Sequence, residues 1–484
     1  MFQWVRSLFG SDRAAARPKV RARYDNATNT PENARHWIGV DYLSPKSANS
    51  YQVRRTLRMR SRYEVSNNPY LYGICHSNAD DLIGTGPTLQ VYSGRPAFDR
   101  AVEAAWAAWC DEVGLVQKLR AAKLAKSVDG EGFLILKTVE DLEHPVKLYP
   151  VDVEADQVTS VAPKDLSELW VDGLTLHPVT GQPLTYSVMR SHPGDFFFPG
   201  LNPLATDTVQ ARHVVHWFKQ DRPGQVRGVP TFSPSLDLFT ELRAFRKATL
   251  GAAEIAAEYA AVLEQDKEIG SPDDDADDAE YKPFTRVPSA RRMMTMLPPG
   301  VKLSQLKSEH PTTTYEMFQT LCLAEACRPL AYPLNLALGT SQKFNFSSAK
   351  LDHIQYRNAL TIERDQCSRA VLERVFRAWF EEAVLAGAVP VGGGLAVPAH
   401  EWHWPGFESI DPLSDAQTDA ARLAAGNDTL RDFWARRGRD WRDVLAQLKA
   451  EKDELERLGL QFGDVVQRTV SQTEQTDQEP ANAA

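Results

Sequence analysis

The stretch Glu401-Trp402-His403-Trp404 puts a carboxylate beside aromatic rings, which is the chemistry of a sugar platform with a proton-transfer group next to it. The same alternation of tryptophan with polar residues also marks a half-buried strand. Arg212-His213-Val214-Val215-His216 holds two histidines three apart, but on a strand such residues point to opposite faces. Structural or surface histidines therefore fit better than a metal pair. The five cysteines, Cys75, Cys110, Cys322, Cys327 and Cys367, form no C-x-x-C and have no histidine at zinc-ligand spacing. That excludes a disulfide scaffold and a zinc site, and favours a reducing compartment. Asp273-Asp274-Asp275-Ala276-Asp277-Asp278 resembles the opening of a calcium loop, yet position six is Asp278 instead of glycine and position twelve is Phe284 instead of glutamate. A solvated acidic loop is the better reading. There is no G-x-x-x-x-G-K-[ST], G-x-S-x-G or H-E-x-x-H, and Gly84-Thr85-Gly86 lacks the rest of a dinucleotide loop. The expectation is a chain with no catalytic residues, no metal and no cofactor.

The 484 residues suggest about three structural units at roughly 150 residues each. With 25% charged and 43% hydrophobic residues the composition is that of a globular chain. A net charge of −9 excludes a polycation that wraps nucleic acid by charge alone. No uninterrupted apolar run is long enough to span a membrane; the nearest, Ala383 to Ala399, is broken by Pro390, Gly392, Gly393, Gly394 and Pro398. Met1 to Gly10 is too short and interrupted for a signal peptide, so the chain is expected to stay in the cytoplasm where it is made.

These residues need elements to hold them. Residues 11–35 read as an extended basic arm. An Arg-rich helical stretch from Asn49 (Arg54, Arg55, Arg58, Arg60, Arg62) stops at Asn67-Asn68-Pro69 and resumes over Tyr70 to Leu82. Thr88 to Tyr92 alternates as a strand, and Val102, Trp106 and Trp109 fall at helical spacing within Phe98 to Val113. Strands are predicted over Phe133–Thr138, Leu169–Leu176, Leu184–Ser191 and His213–Phe218, with residues 177–183 as a hairpin connection.

Ser233-Pro234 reads as a helix start, with an N-cap hydroxyl followed by proline at the first helical position. Apolar or small residues from Leu238 to Leu263 recur by threes and fours, predicting a helix over 233–265, roughly 50 Å long. Alanines 244, 248, 252, 253, 256, 257, 260 and 261 let neighbouring helices approach on both flanks, as between copies of one chain. Asp266 to Lys282 is the acidic insertion, and Pro283 to Lys307 alternates as short strands. Thr312 to Arg328 predicts a second helix. The polar segment 339–346 precedes a third, from Ser347 to about Ala386 and near 60 Å. Amphipathic helices follow over Asp415–Ala424, Thr429–Arg437 and Asp440–Leu458, and residues 469–484 lack the apolar content to fold.

The order of several motifs resembles the lambda-type portal proteins of tailed bacteriophages. They are Arg23-Tyr24-Asp25-Asn26-Ala27, His36-Trp37, the run Arg54 to Arg62, Asn67-Asn68-Pro69-Tyr70, Val215-His216-Trp217-Phe218 and Asp221 to Pro230. Asn345-Phe346-Ser347-Ser348-Ala349-Lys350, Trp402-His403-Trp404-Pro405 and the segment from Ile410 to Leu460 complete the series. Lys350 stands where the family pattern has arginine, and the Asp-rich lobe looks particular to this chain.

The resemblance implies a helix-rich α+β portal-type fold with an α/β wing, a long helical stem, a small α/β clip and a helical crown, assembled as a ring, usually dodecameric. Carried onto this chain, residues 1–35 are the arm, and 36–232 with 347–404 the wing. Residues 233–265 are the stem helix, 266–310 the clip, and 311–338 the second stem helix with its Pro-rich exit. The tunnel loop is 339–346, the crown 405–468 and the tail 469–484. The implied partners are other copies of the chain, double-stranded DNA in the channel, the terminase large subunit, the major capsid protein and scaffold, and head–tail adaptors, with no membrane. The implied location is the portal vertex of the virion. Ser341, Gln342, Lys343 and Asn345 would face the DNA channel, and Asp273, Asp274, Asp275, Asp277 and Asp278 would be clip residues for terminase docking. Ala248, Ala252, Ala256 and Tyr259 would pack between subunits in the stem.

Physical reasoning agrees with a conduit. Rings close through heterologous contacts, which alanine-rich helices suit. A mostly acidic wall does not grip phosphates, because each lysine–phosphate contact adds a salt-dependent release cost. Lys343, between Gln342 and Asn345, either touches phosphate transiently or faces solvent. Two other readings stand beside this one: a hydrolase acting on sugar or nucleic acid around Glu401, and a head scaffold protein without a channel.

Overall fold

A computed structural model describes residues 35, 37–159, 169–195, 205–258, 262–265, 301–304, 313–390, 396–408 and 411–460. The fold is helix-rich α+β. Helices α1 (Pro45–Ala48), α2 (Tyr51–Asn67) and α3 (Pro69–Ile83) lead it, and α2 and α3 are split where the Asn68-Pro69 signal required. Asn68 is extended (φ −117°, ψ 109°), as a residue before proline is pushed to be, and its side chain accepts the N–H groups of Tyr70 and Leu71. Leu71, Ile74, Cys75, Asn78, Ala79 and Leu82 form the buried face of α3.

Strand β1 (Thr88–Val91) is followed by α4 (Pro96–Val113) and α5 (Leu115–Val128), with Gly114 in the left-handed conformation (φ 63°) between the two helices. Next come β2 (Glu131–Thr138), β3 (Leu148–Val153), β4 (Leu169–Val171), β5 (Leu174–Leu176), β6 (Pro183–Met189), β7 (Thr206–Gln210) and β8 (Val214–Phe218). They build two antiparallel sheets, β3-β2-β8 and β4-β5-β6-β7. Phe133 and Ile135 from the first sheet meet Leu174, Leu176, Tyr186 and Val188 from the second in a small core of their own. Helix α5 lies so close over β2 that a Cβ on Gly132 would come 2.6 Å from the Ala122 carbonyl oxygen.

The strand expected over Leu169–Leu176 is two strands. Asp172 (φ 37°) and Gly173 (φ 82°) both turn left-handed, the dihedral signature of a two-residue hairpin, and β4 folds back onto β5. The strand expected from His213 begins at Val214, after a short 3-10 turn over Ala211–His213.

Helix α6 (Leu236–Glu258) precedes β9 (Val262–Gln265), β10 (Val301–Ser304), α7 (Thr313–Ala326), α8 (Leu334–Leu338), α9 (Phe346–Cys367) and α10 (Glu373–Leu385). The expected helix over 233–265 is therefore shorter at both ends. At its start Ser233–Ser235 form a 3-10 turn, and the Ser233 hydroxyl donates to the Pro230 carbonyl instead of capping. At its end, Val262–Gln265 pair antiparallel with Val301–Ser304, so a ladder replaces helix propagation. Its 23 residues span about 35 Å. The third long helix matches expectation, since α9 and α10 run on through one π-helical turn at Ser368–Leu372. There the Ser368 hydroxyl donates to the Arg364 carbonyl and accepts from Trp404 Nε1.

Strand β11 (His400–His403) returns to pair antiparallel with β1, from Thr88 opposite His403 to Val91 opposite His400. Trp106 and Phe376 meet Trp402 of this pair, and with Trp109, Trp379 and Phe380 they fill the main core. Helices α11 (Pro412–Ala424), α12 (Leu430–Ala435) and α13 (Trp441–Leu458) follow, as their amphipathic spacing predicted. Among the described residues no helix is long and apolar enough to cross a membrane.

Candidate functional site

The polar segment 339–346 is a tight connection between α8 and α9, held at both ends. Gly339 (φ 68°) closes α8, its N–H and that of Thr340 returning to the carbonyls of Leu336 and Asn335. Asn345 caps α9, its side chain accepting the Ser347 N–H at 3.1 Å. Phe344 N–H returns to Ser341 C=O at 3.1 Å, which leaves Ser341, Gln342 and Lys343 exposed at the tip. Lys343 Nζ donates to Glu316 Oε1 in the first turn of α7. Asn345 thus spends its side chain on a cap, and the cation expected to meet phosphate or solvent has a carboxylate partner.

Helix α7 packs along α6 through Phe245, whose ring stacks on Tyr315 at 5.6 Å and meets Phe318 edge-on at 4.9 Å. Outside that seam Leu250, Met317 and Leu321 are each at least 60% exposed. Of the candidate packing residues, Ala248 is exposed, Ala252 is partly covered and Ala256 lies in the last turns of α6. Tyr259 and the clip candidates Asp273, Asp274, Asp275, Asp277 and Asp278 lie outside the described residues.

Beneath α2 is a buried charge network that the sequence reading passed over. Arg54 and Arg58, one helical turn apart, point inward and are both 1% exposed. Arg54 pairs with Asp172 at the β4–β5 turn, and Arg58 reaches Glu131 at 3.3 Å and Asp156 at 2.8 Å. Arg227 closes on Glu131 and also donates to the carbonyls of Val158 at 2.9 Å and Asp172 at 2.6 Å. Burial alone would raise the Glu131 carboxyl, but Arg227, the His216 hydrogen bond and Arg54 overcome it and hold the group well below the usual range. Arg54 is pushed down to about 10, first by burial and then by Arg227. His216, stacked between Phe133 and Phe218, is lowered by burial against the pull of Glu131. The neutral ring carries its proton on Nε2 toward Glu131 and accepts at Nδ1 from Tyr186, which satisfies both contacts. Three signals pointed here: arginines at 54, 58 and 62 on one helix face, a lone glutamate opening an apolar strand, and Asp172-Gly173.

Glu154, Asp156 and His192 bring ligand-type atoms within 4.8 Å of one another. Arginines already hold these acids: Arg62 lies 3.1 Å from Glu154 and 2.9 Å from Asp156 and clasps Asp129 at 2.6 Å, and Arg58 reaches Asp156 at 2.8 Å. His213 is exposed and His216 buried, so the two histidines go to separate surroundings.

Glu401, on β11, pairs with Arg431, and Arg431 in turn lies 4.3 Å over the Tyr92 ring. The flanking tryptophans turn inward. Trp402 Nε1 donates to Glu373 at 3.0 Å and its ring meets Trp106, while Trp404 Nε1 donates to Ser368 at 2.9 Å. The half-buried strand is what the alternation encoded, and among the described residues it is the Tyr92 hydroxyl, at 3.4 Å, that reaches the carboxylate from an aromatic side chain. Arg364 joins three parts of the chain, donating to the carbonyls of Leu82 at 2.8 Å, Asp81 at 2.9 Å and Pro405 at 2.8 Å.

With that geometry in place, comparison with known proteins is specific. The family model described as phage portal protein, lambda family, matches residues 35–364. The chain is 26% identical over 311 residues to a probable portal protein of Halomonas phage phiHAP-1, covering 62% of this chain and 59% of that one. It is 22% identical over 278 residues to the portal protein of Escherichia phage N15, covering 51% of each. The chain thus matches between half and three fifths of the length of these curated relatives. Among solved structures, the neck of an empty GTA particle computed with C6 symmetry aligns at a TM-score of 0.46 and 13% identity, over 77% of this chain and 89% of that one. The neck of the native GTA particle computed with C12 symmetry aligns at 0.44 and 12%, over 79% and 92%.

Proposed function

The chain belongs to the lambda family of phage portal proteins, and from that membership we propose that it closes into a ring, dodecameric in the family pattern, at one vertex of the capsid. The ring serves as the channel for double-stranded DNA during packaging and ejection, and as the docking site for the terminase large subunit and head–tail adaptors. It contacts the major capsid protein and scaffold, is built in the host cytoplasm, and remains in the virion. No catalysis is assigned to it.

The observation that carries this reading is the family match over residues 35–364, which runs from the first described residue into α9. Two features of the chain support it. Leu250 on α6 and Met317 and Leu321 on α7 are exposed apolar side chains, suited to contact a different patch on the next copy. The exposed tip 341–343 sits beside the α6–α7 pair and suits a loop lining the channel. In this assignment α6 and α7 are the stem, β9 and β10 the base of the clip, residues 339–346 the tunnel loop, and α11 to α13 the crown. The two sheets with the helices around them make the wing.

Native mass spectrometry and electron micrographs of the purified chain test the proposal. Closed rings with a central hole wide enough for a duplex are expected; compact solitary particles at every salt and protein concentration would overturn it.

A further inference from the structure

The Lys343–Glu316 ion pair ties the tip of the 339–346 connection to α7, across 27 residues of sequence. Lys343 is the single charged residue of that connection. Its side chain is 73% exposed and that of Glu316 64%, so the pair stands in water at the surface. Exposed pairs of this kind are among the weakest ionic contacts in proteins. Glu316 is nonetheless well placed, because the first turn of a helix favours a carboxylate. The connection has fixed ends at Gly339 and Asn345, so the tip can leave α7 without disturbing α8 or α9.

We propose that Glu316 is an intramolecular stand-in for a DNA phosphate, occupying Lys343 when no duplex is present and weakening its grip when one is. This rests on the assignment of the connection to the DNA channel. A phosphate oxygen offers Lys343 the same charge-assisted acceptor as the carboxylate, so one contact exchanges for the other. On exchange the released Glu316 carboxylate stays beside the newly bound phosphate and repels it. The contact is therefore self-limiting, as sliding of a duplex requires.

The test measures binding of a short fluorescein-labelled DNA duplex to the purified full-length protein over a salt series, for the wild type and for Glu316→Gln, Lys343→Gln and the double variant. Both side chains are exposed, and circular dichroism checks that each variant is folded. The proposal expects Glu316→Gln to bind roughly 2- to 5-fold more tightly, the scale of an exposed ion pair. Lys343→Gln should bind more weakly with a shallower salt dependence, and the double variant should behave as Lys343→Gln. Lys343→Arg should stay near the wild type. If Lys343→Gln binds as the wild type does, the placement of the loop at DNA fails, and this proposal with it. If Lys343→Gln weakens binding but Glu316→Gln changes nothing, the loop's role stands and the stand-in is overturned. A gain from Glu316→Gln that persists without Lys343 would show an effect of overall charge and overturn the stand-in as well.

Discussion

Arg227 grips Glu131 along one edge of its guanidinium, Nε to Oε2 at 2.9 Å and Nη2 to Oε1 at 2.6 Å, with both side chains withdrawn from water. The Gly228 N–H joins the same carboxylate at 3.0 Å. One residue of β2 thereby fixes the segment that leads into α6.

Removing one member of this pair strands a buried charge. Arg227→Met should cost about 3–5 kcal/mol in urea unfolding. Glu131→Gln leaves Arg227, Arg58 and Arg54 without their shared anion and should cost a similar amount. The paired change to Met and Leu should cost much less than the sum, because it removes the stranded charge. Equal and additive losses would mean that the pair acts only through volume.

Stability should fall in two steps as pH is lowered. The folded His216 is harder to protonate than an unfolded histidine near 6.5, chiefly because it is buried. Its contribution is complete above that pH and is lost as pH falls toward the folded value, so stability should decline in mild acid. His216→Gln should flatten that decline in part, since His76 and His403 are lowered in the same sense by burial. Glu131 is depressed, so its contribution is complete above the ordinary carboxylate range near 4.5 and disappears only in stronger acid. Glu131→Gln should shrink that second step in part, since Glu363, despite its burial, is lowered to about 2 by Lys123 and Lys126. Unfolding midpoints across pH for the three proteins check both.

Arg364→Lys replaces a planar fork with a single point donor and cannot reach the carbonyls of Asp81, Leu82 and Pro405 together. A loss of about 2 kcal/mol is expected, from carbonyls left without donors. Limited proteolysis should also find the segment after Pro405 cut faster, while cleavage elsewhere is unchanged.

Gly132→Ala would drive a Cβ to 2.6 Å from the Ala122 carbonyl oxygen, where backbone meets backbone and neither can swing aside. A penalty of about 1–3 kcal/mol is expected in thermal or denaturant melts. Gly251→Ala, on α6 with open space around it, is the control and should be neutral or slightly stabilising.

Deleting residues 341–344 should spare ring assembly and impair genome filling in phage complementation. Extending the deletion through Asn345 also removes the α9 cap, and should cost about 1 kcal/mol more in stability. Normal filling by the shorter deletion would contradict a channel role for the loop.

Local rules carried much of this structure. Asn68-Pro69 broke a helix where a capped proline start must, and the uninterrupted stretch after 346 became one long helix because nothing in it opposes propagation. The misjudged features depend on distant partners. Nothing near Val262 announces that Val301–Ser304 will pair with it, so periodicity continued the helix too far. Asp172-Gly173 is a local hairpin signal, but the alternation of Leu169 to Leu176 continues across it and hid the turn. Arg54 and Arg58 stood only as part of an Arg-rich helical stretch, because their acids, Glu131, Asp156 and Asp172, come from strands and turns far along the chain. At the loop, Lys343 was recognisable as the tip cation, whereas Glu316 became its partner only through the packing of α7.

The union of β1 with β11 sets a timetable for synthesis. Val91 leaves the ribosome about three hundred residues before His400, so at roughly 5–20 residues per second its strand waits some tens of seconds for its mate. For that interval the unpaired edge is open to other nascent chains. Slower translation would lengthen that interval in proportion.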